Sequence, residues 1–217
     1  MMTQLKIRDC TATFQASYVS ARPLELFDPA SIAVSIVEQL SAYNLRASDV
    51  TLDAGDGLFG YNLRAKLFSD LMNINVSATR LECVFTRLTR RADREIAHQC
   101  VHRALTACGE GLSQNCFIDV GVHAAFSSEA ERNEFFSRAK PDSFLWGGML
   151  GYQQIGEAGE LLRIEVDQSW MYTESAYIHW QTFGLRLEEF RKAQEVWNSL
   201  FDTVAVWDLE LIDEPSV

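Results

Sequence analysis

The sequence predicts an α+β protein with a largely antiparallel sheet that is backed by helices. Segments in which every second residue is apolar, the pattern of half-buried strands, recur along most of the chain. Between them lie stretches with apolar residues at helical spacing, several of them preceded by a residue that can cap a helix. Because short turns join consecutive strands, antiparallel pairing is favoured over parallel pairing.

The first half of the chain begins with a strand at Cys10 to Tyr18, where apolar and polar residues alternate. A helix is expected after Asp28, which can cap it, and Pro29, which suits its first turn. The strands expected next lie at Val50 to Asp53, Tyr61 to Phe68 and Asn73 to Leu88. A second helix is expected from Arg94 to Cys108.

The second half has the same order of elements. A strand is expected at Asn115 to Phe126, and a capping box that begins at Ser128 opens a helix toward Ala139. The strands expected next lie at Phe144 to Ile155, Leu161 to Asp167 and Tyr172 to Phe183. The last helix is expected from Leu187 to Phe201, and a short acidic tail from Asp208 to Val217 follows it.

The shared order of strand, helix, three strands and helix predicts an internal repeat of residues 9–108 and 115–201. Both halves are expected to belong to a single compact unit that spans residues 1–217. Few residues match between the halves, Asp9-Cys10 and Asn115-Cys116 being one example. The order of elements is therefore the better evidence for the repeat.

Composition and charge limit the classes of function. The 217 residues carry a formal net charge of -11, which repels nucleic-acid phosphates and anionic lipids. One basic cluster is present, formed by Arg87, Arg90, Arg91 and Arg94, and we interpret it as solvated charge at the start of a helix. No window is long and apolar enough for a membrane span. We therefore expect neither nucleic acid nor a membrane as a partner.

Cysteine usage and the N-terminal residues predict a cytoplasmic protein. Residues Met1 to Asp9 contain no apolar run, so no signal peptide is expected. Five cysteines lie between Cys10 and Cys116 without a CxxC pair. This spacing suits reduced, buried thiols rather than a disulfide framework.

Two sets of residues are candidates for chemistry, and each has a weak point. Glu95, His98 and His102 have the helical spacing of metal ligands, but they flank the apolar stripe on its polar side, and no second cluster adds ligands. Cys116 and His123 lie seven residues apart on one strand, which places them on opposite faces. The GxSxG pattern of a nucleophile elbow is lacking. We therefore expect no catalytic residue, no metal and no cofactor.

Aromatic residues are concentrated in the second half of the chain. Tyr177 and His179 share one face of their strand, and Ile178 and Trp180 share the other. If Ile178 and Trp180 pack against the last helix, then Tyr177 and His179 decorate an exposed face of the sheet. Exposed aromatic residues of this kind mark ligand pockets or protein interfaces. The competing interpretation is that they form the core and rim of a large sheet.

These observations favour a non-catalytic protein that binds or assembles with other proteins through a face or an edge of its sheet. The partner is expected to be another protein or a second copy of the chain, which would give a homo-oligomer. The alternative is an enzyme or carrier that holds a small apolar ligand between sheet and helices. The residues expected to contact the partner are Trp170, Tyr172, Tyr177 and His179.

Overall fold

The computed structural model describes residues 2–21, 28–54, 60–109, 111–138, 149–155, 160–187 and 193–213. In chain order the strands are β1 (Thr3–Tyr18), β2 (Val50–Ala54), β3 (Tyr61–Leu67), β4 (Met72–Ser77), β5 (Arg80–Phe85), β6 (Leu112–Ala125), β7 (Met149–Ile155), β8 (Glu160–Gln168), β9 (Ser175–Phe183), β10 (Leu185–Arg186) and β11 (Leu209–Ile212). The helices in these ranges are α1 (Pro29–Leu40), α2 (Arg91–Cys108), α3 (Glu129–Ser137) and α4 (Ala193–Asp202).

All eleven strands belong to one sheet, in the order β2-β3-β4-β5-β1-β6-β9-β8-β7. The short strand β10 pairs with β6, and β11 pairs with β1 in the only parallel ladder among the described strands. The long strands β1 and β6 lie side by side at the centre and join the two halves of the sheet. The predicted α+β class with a largely antiparallel sheet is therefore confirmed.

Helices α1, α2 and α4 pack over one face of the sheet, here called the helix-covered face. Strand β1 presents alternate apolar residues to this face, and they are buried. The buried stripe of α1, formed by Ile32, Ile36 and Leu40, has the spacing that the sequence predicts for a helix packed on one side. The opposite face, which carries Tyr177 and His179, is here called the open face. Its side chains are mostly polar and partly exposed.

One predicted strand is wrong. The segment expected to form a single strand from Asn73 to Leu88 folds into β4 and β5, which pair as a hairpin. The turn between them contains neither glycine nor proline, and the Ser77 hydroxyl supports it by accepting a hydrogen bond from the Thr79 N–H at 3.4 Å. A turn of this kind gives little signal in a sequence.

The strands of the two halves can be counted among the described residues. Four strands, β2 to β5, lie between α1 and α2, and four strands, β7 to β10, lie between α3 and α4. In the first half β1 pairs with β5, and in the second half β6 pairs with both β9 and β10. The internal repeat of residues 9–108 and 115–201 stays a prediction.

The predicted ends of several elements differ from the observed ones. Strand β1 begins at Thr3 rather than Cys10, because a register shift between Ile7 and Asp9 lets the strand continue past an irregularity. The part of the expected strand at residues 144–148 lies outside the described residues, as do residues 188–192 of the last helix. None of the described helices is long and apolar enough to cross a membrane.

The basic cluster at the start of α2 is not simply solvated. Arg90 forms an ion pair with Asp93, and Arg91 forms one with Glu95. Arg94 is buried, and its guanidinium donates to the Asp213 carboxylate at 2.6 Å and to the Leu88 carbonyl at 3.1 Å. Asp213 also accepts the backbone N–H of Arg91 at 2.7 Å, so the segment after β11 caps α2.

Candidate binding surface on the open face of the sheet

Four adjacent strands, β1, β6, β9 and β8, arrange the open-face side chains in rows that cross the sheet. The first row contains Asp9, His123, Tyr177 and Asp167. The second row contains Thr11, Gly121, His179 and Glu165. The third row contains Thr13, Asp119, Gln181 and Arg163. Antiparallel pairing thus brings together residues that are far apart in the sequence.

Two further aromatic residues fold onto this surface from the connection between β8 and β9. The ring centroids of Trp170 and Tyr177 lie 4.4 Å apart, and Trp170 lies 5.1 Å from His123. Tyr172 also contacts His123, with centroids 5.6 Å apart, and the rings of Tyr177 and His179 are stacked at 5.8 Å. These five residues, His123, Trp170, Tyr172, Tyr177 and His179, are here called the aromatic cluster. The four residues that the sequence predicts for partner contact all belong to it.

Ser169 holds the connection in place. Its hydroxyl oxygen accepts hydrogen bonds from the backbone N–H groups of Met171 and Tyr172, at 3.1 and 3.0 Å. The same hydroxyl lies 2.9 Å from the Nδ1 atom of His123, and it can donate its own hydrogen there. Burial lowers the pKa of His123, although the charge of Asp9 acts in the opposite direction. The lowered pKa favours the neutral imidazole, which can accept such a bond.

Glycine at position 121 makes room for the ring of Tyr177. A Cβ atom added to Gly121 would lie 2.8 Å from the Tyr177 hydroxyl oxygen and 3.3 Å from the hydroxyl of Thr11. Both contacts are closer than a Cβ atom normally makes. Gly121 is therefore required by the close approach of a neighbouring side chain and lets Tyr177 lie flat across β6.

His179 lies between two carboxylates. Its Nε2 atom is 3.0 Å from the Asp119 carboxylate and its Nδ1 atom is 3.2 Å from the Glu165 carboxylate. Burial alone would lower the pKa of His179, but the hydrogen bonds and charges of both carboxylates outweigh it and raise this pKa. Burial would raise the pKa of Asp119, yet hydrogen bonds from His179 and Gln181 together with the charge of His179 lower it. Arg163 is ion-paired with Glu165 and completes the network.

Exposure separates the two kinds of aromatic residue in this region. Trp180, on the helix-covered face, is fully buried, stacks on Phe201 of α4 and donates its indole N–H to the Thr203 hydroxyl. Trp170 is 71% exposed, and Tyr172 is 36% exposed. The aromatic cluster is thus neither core nor a set of loose side chains: it is ordered by ring contacts and open on one side.

The positions of the predicted residues differ from the expectation in two respects. Tyr172, expected to begin a strand, precedes β9, which starts at Ser175, so it lies with Trp170 in the connection between β8 and β9. Strand β9 also lies between β6 and β8, whereas the edges of the described sheet are β2 and β7. A partner strand therefore cannot add to β9, and only the face of the sheet is accessible there.

Sequence reasoning did not identify three residues of this surface. Asp119, Glu165 and Gly121 acquire their positions from the pairing of β6, β8 and β9, and strand order is not readable from local patterns. Alternation along β6 places Asp119 and His123 on one face. That pattern, combined with the acidic residues Glu165 and Asp167 of β8, is the only local signal that was available.

The earlier candidates for chemistry do not join this surface. His98 is buried, contrary to the prediction that its trio flanks the polar side of α2, and its ring lies 5.1 Å from that of His102. Among the residues that the structure describes, no three His, Cys, Asp or Glu side chains are grouped so as to hold a metal ion. Cys116 is buried on the helix-covered face, and burial raises the pKa of its thiol to about 12.

The chain matches no protein-family model, and a search of curated proteins finds no similar sequence. Any assignment of function therefore depends on the geometry and charge of the surface itself.

Proposed function

We propose that this protein binds a basic segment of another protein through the aromatic cluster on its open face. The observation that carries the proposal is the position of Trp170, which is 71% exposed yet held in ring contact with His123 and Tyr177. Aromatic side chains with little conformational freedom contribute strongly to interface energy, because little entropy is lost when a partner covers them. Ser169 orders the connection in advance of binding.

The charge around the aromatic cluster supports a basic partner. Four carboxylates, from Asp9, Asp119, Glu165 and Asp167, lie in the three rows that cross the open face. Charged groups of the opposite sign there are His179, once protonated, and Arg163. A lysine or arginine of the partner can stack on an exposed ring and direct its charge at a carboxylate. The net charge of -11 would steer such a partner toward the protein.

Side chains rather than backbone groups would make the contacts. Strand β9 has hydrogen-bonded neighbours on both sides, so its backbone is already satisfied. Recognition therefore depends on rings and carboxylates that project from the face. A second copy of this chain is a less favoured partner, because two chains that each carry a net charge of -11 repel each other.

The same geometry supports a non-catalytic role. The Ser169 hydroxyl accepts two backbone N–H bonds, which use the lone pairs that a nucleophile needs. His179 has both ring nitrogens within hydrogen-bond distance of carboxylates, so it is not free to act on a substrate. Location in the cytoplasm is part of the proposal, and the five free, buried cysteines support a reducing compartment.

The test uses extended peptides of equal length that differ only in charge. We expect the Lys- and Arg-rich peptide to bind, the Gln-rich peptide to bind weakly and the Glu-rich peptide not to bind, with affinity falling as salt is added. Replacing Trp170→Ala together with Tyr172→Ala should weaken binding by at least about tenfold. Fluorescence anisotropy of labelled peptides measures both effects.

The matched control is Ile96→Ala, which removes a side chain about as exposed as Tyr172 from α2, on the other side of the sheet. This variant should bind the basic peptide as the unmodified protein does. Equal binding of the basic and acidic peptides, or unchanged binding by the Trp170→Ala, Tyr172→Ala protein, would contradict the proposal.

A further inference from the structure

A pocket of about 480 Å³ lies on the helix-covered side, between the first half of α2 and the turn that joins β3 to β4. Its floor is apolar and buried, formed by Met72, Phe85, Leu88 and Ala97. Its rim is apolar and about two-fifths exposed, with Phe68 at 39%, Leu71 at 37% and Ile96 at 39%. Large apolar side chains that stay this exposed around a concave site are typical of ligand pockets.

The turn that carries Phe68 and Leu71, and the facing wall of the pocket, contain residues in a backbone conformation that residues other than glycine seldom adopt. Phe68, Ser69 and Asp70 have φ values of +53°, +55° and +70°, and Arg87 on the facing wall has a φ of +61°. None of these residues is glycine, so each adopts the left-handed region at an energetic cost. The two walls are joined by a hydrogen bond from the Thr86 N–H to the Leu71 carbonyl at 2.9 Å. Such local strain is concentrated at binding and catalytic sites.

The charged group that is available to a ligand at the rim of the pocket is positive. Arg87 lines the pocket and is exposed, and no ion pair among the described residues involves it. Arg90, by contrast, is bound by Asp93 through two hydrogen bonds of 2.9 Å. The Arg87 guanidinium is thus the available partner for an anionic group, and carboxylates fit its planar fork. Thr86 and Thr89 add hydroxyl groups to the lining.

We infer that this pocket binds a small amphipathic carboxylate, whose apolar chain or ring lies against Met72, Phe85 and Ile96 while its carboxylate meets Arg87. The volume is within the range of roughly 300–1,000 Å³ that suits small-molecule ligands. The inference does not depend on the proposed protein-binding function, because the aromatic cluster lies on the other face of the sheet and in the other half of the chain.

The test uses decanoate, and for comparison decanol, which has the same chain without the charge. Isothermal titration calorimetry with the full chain should show one saturable equivalent of decanoate, and decanol should bind at least about tenfold more weakly. Arg87→Gln should reduce the affinity for decanoate to that for decanol. Arg64→Gln, which removes an exposed arginine from β3 outside the pocket, should leave the affinity unchanged.

A second variant tests the apolar part of the site. Ile96→Trp places a larger side chain at the rim and should abolish binding of both compounds, with an unchanged circular dichroism spectrum. Equal affinity for decanoate and decanol, full affinity in the Arg87→Gln protein, uptake of several equivalents, or no measurable binding would each overturn the inference. Arg87 is exposed, so its substitution tests the site even if the Ile96→Trp protein does not fold.

Discussion

The two faces of strand β9 differ in what holds their aromatic residues. On the helix-covered face, Trp180 is surrounded by α4 and the turn that follows it, and its indole N–H is satisfied by Thr203. On the open face, Tyr177 packs against the ring of Trp170 and lies over Gly121. His179, on the same face, is held between two carboxylates. Burial fixes the first set and contacts between neighbouring side chains fix the second. Only the second leaves ring surface for a partner.

The largest expected effect is the loss of Trp180. Trp180→Ala leaves a cavity in the core and removes the indole N–H that donates to the Thr203 hydroxyl, so it should lower the free energy of unfolding by about 3–5 kcal/mol. Trp170→Ala is the matched substitution on the open face, and it should change stability by no more than about 0.5 kcal/mol. Urea denaturation of the two variants measures both values. Similar losses in both would show that Trp170 is also part of the core.

A smaller loss is expected when the space beneath Tyr177 is filled. Gly121→Ala brings a methyl group to 2.8 Å from the Tyr177 hydroxyl oxygen and should cost about 1–3 kcal/mol, because the ring must move. In a Tyr177→Ala background the same substitution should cost far less, since the obstructing ring is gone. A double-mutant cycle by thermal denaturation separates the two. Additive costs would mean that Tyr177 does not lie over Gly121.

The third effect is a change in protonation with little change in fold. His179 has a raised pKa, so its stabilising contribution is present below its ordinary pKa and is lost as pH rises through the raised value. Asp119, with a lowered pKa, contributes above its ordinary pKa and loses that contribution as pH falls through the lowered value. In a protein with Asp119→Asn and Glu165→Gln, burial is left to act alone, and the pKa of His179 should fall below its ordinary value.

Titration of the His179 ring protons by NMR checks this prediction, with His123 as an internal control. The pKa of His123 is lowered mainly by burial, so it should change little in the double variant. An unchanged pKa of His179 would mean that the two carboxylates do not determine its protonation.

Much of the fold was readable from the sequence, because alternation and helical spacing report which side of an element is buried. The strand at Cys10 to Tyr18 and the helix after Asp28 are both observed, and Asp28 caps α1 through its side chain. The hairpin at Ser77 to Arg80 was missed, since a turn without glycine or proline does not interrupt the alternation. Strand order was also inaccessible, because it depends on pairing between distant segments.

The candidate surface was predictable in part for the same reason. Alternation assigned Tyr177 and His179 to one face and Ile178 and Trp180 to the other, and the structure places them so. The carboxylates around His179 come from other strands, β6 and β8, and could not be assigned to it from spacing alone. Trp170 joins the cluster through a turn that Ser169 orders, which the sequence pattern does not reveal.

The most direct test of the proposed binding surface replaces Tyr177→Ala and His179→Ala together, with stability and peptide binding measured on the same sample. We expect a folded protein that loses about 1–2 kcal/mol of stability and no longer binds the basic peptide. A loss of about 4 kcal/mol or more would show that these residues are core, as Trp180 is. A folded protein that still binds the peptide with full affinity would show that the open face is not the binding surface.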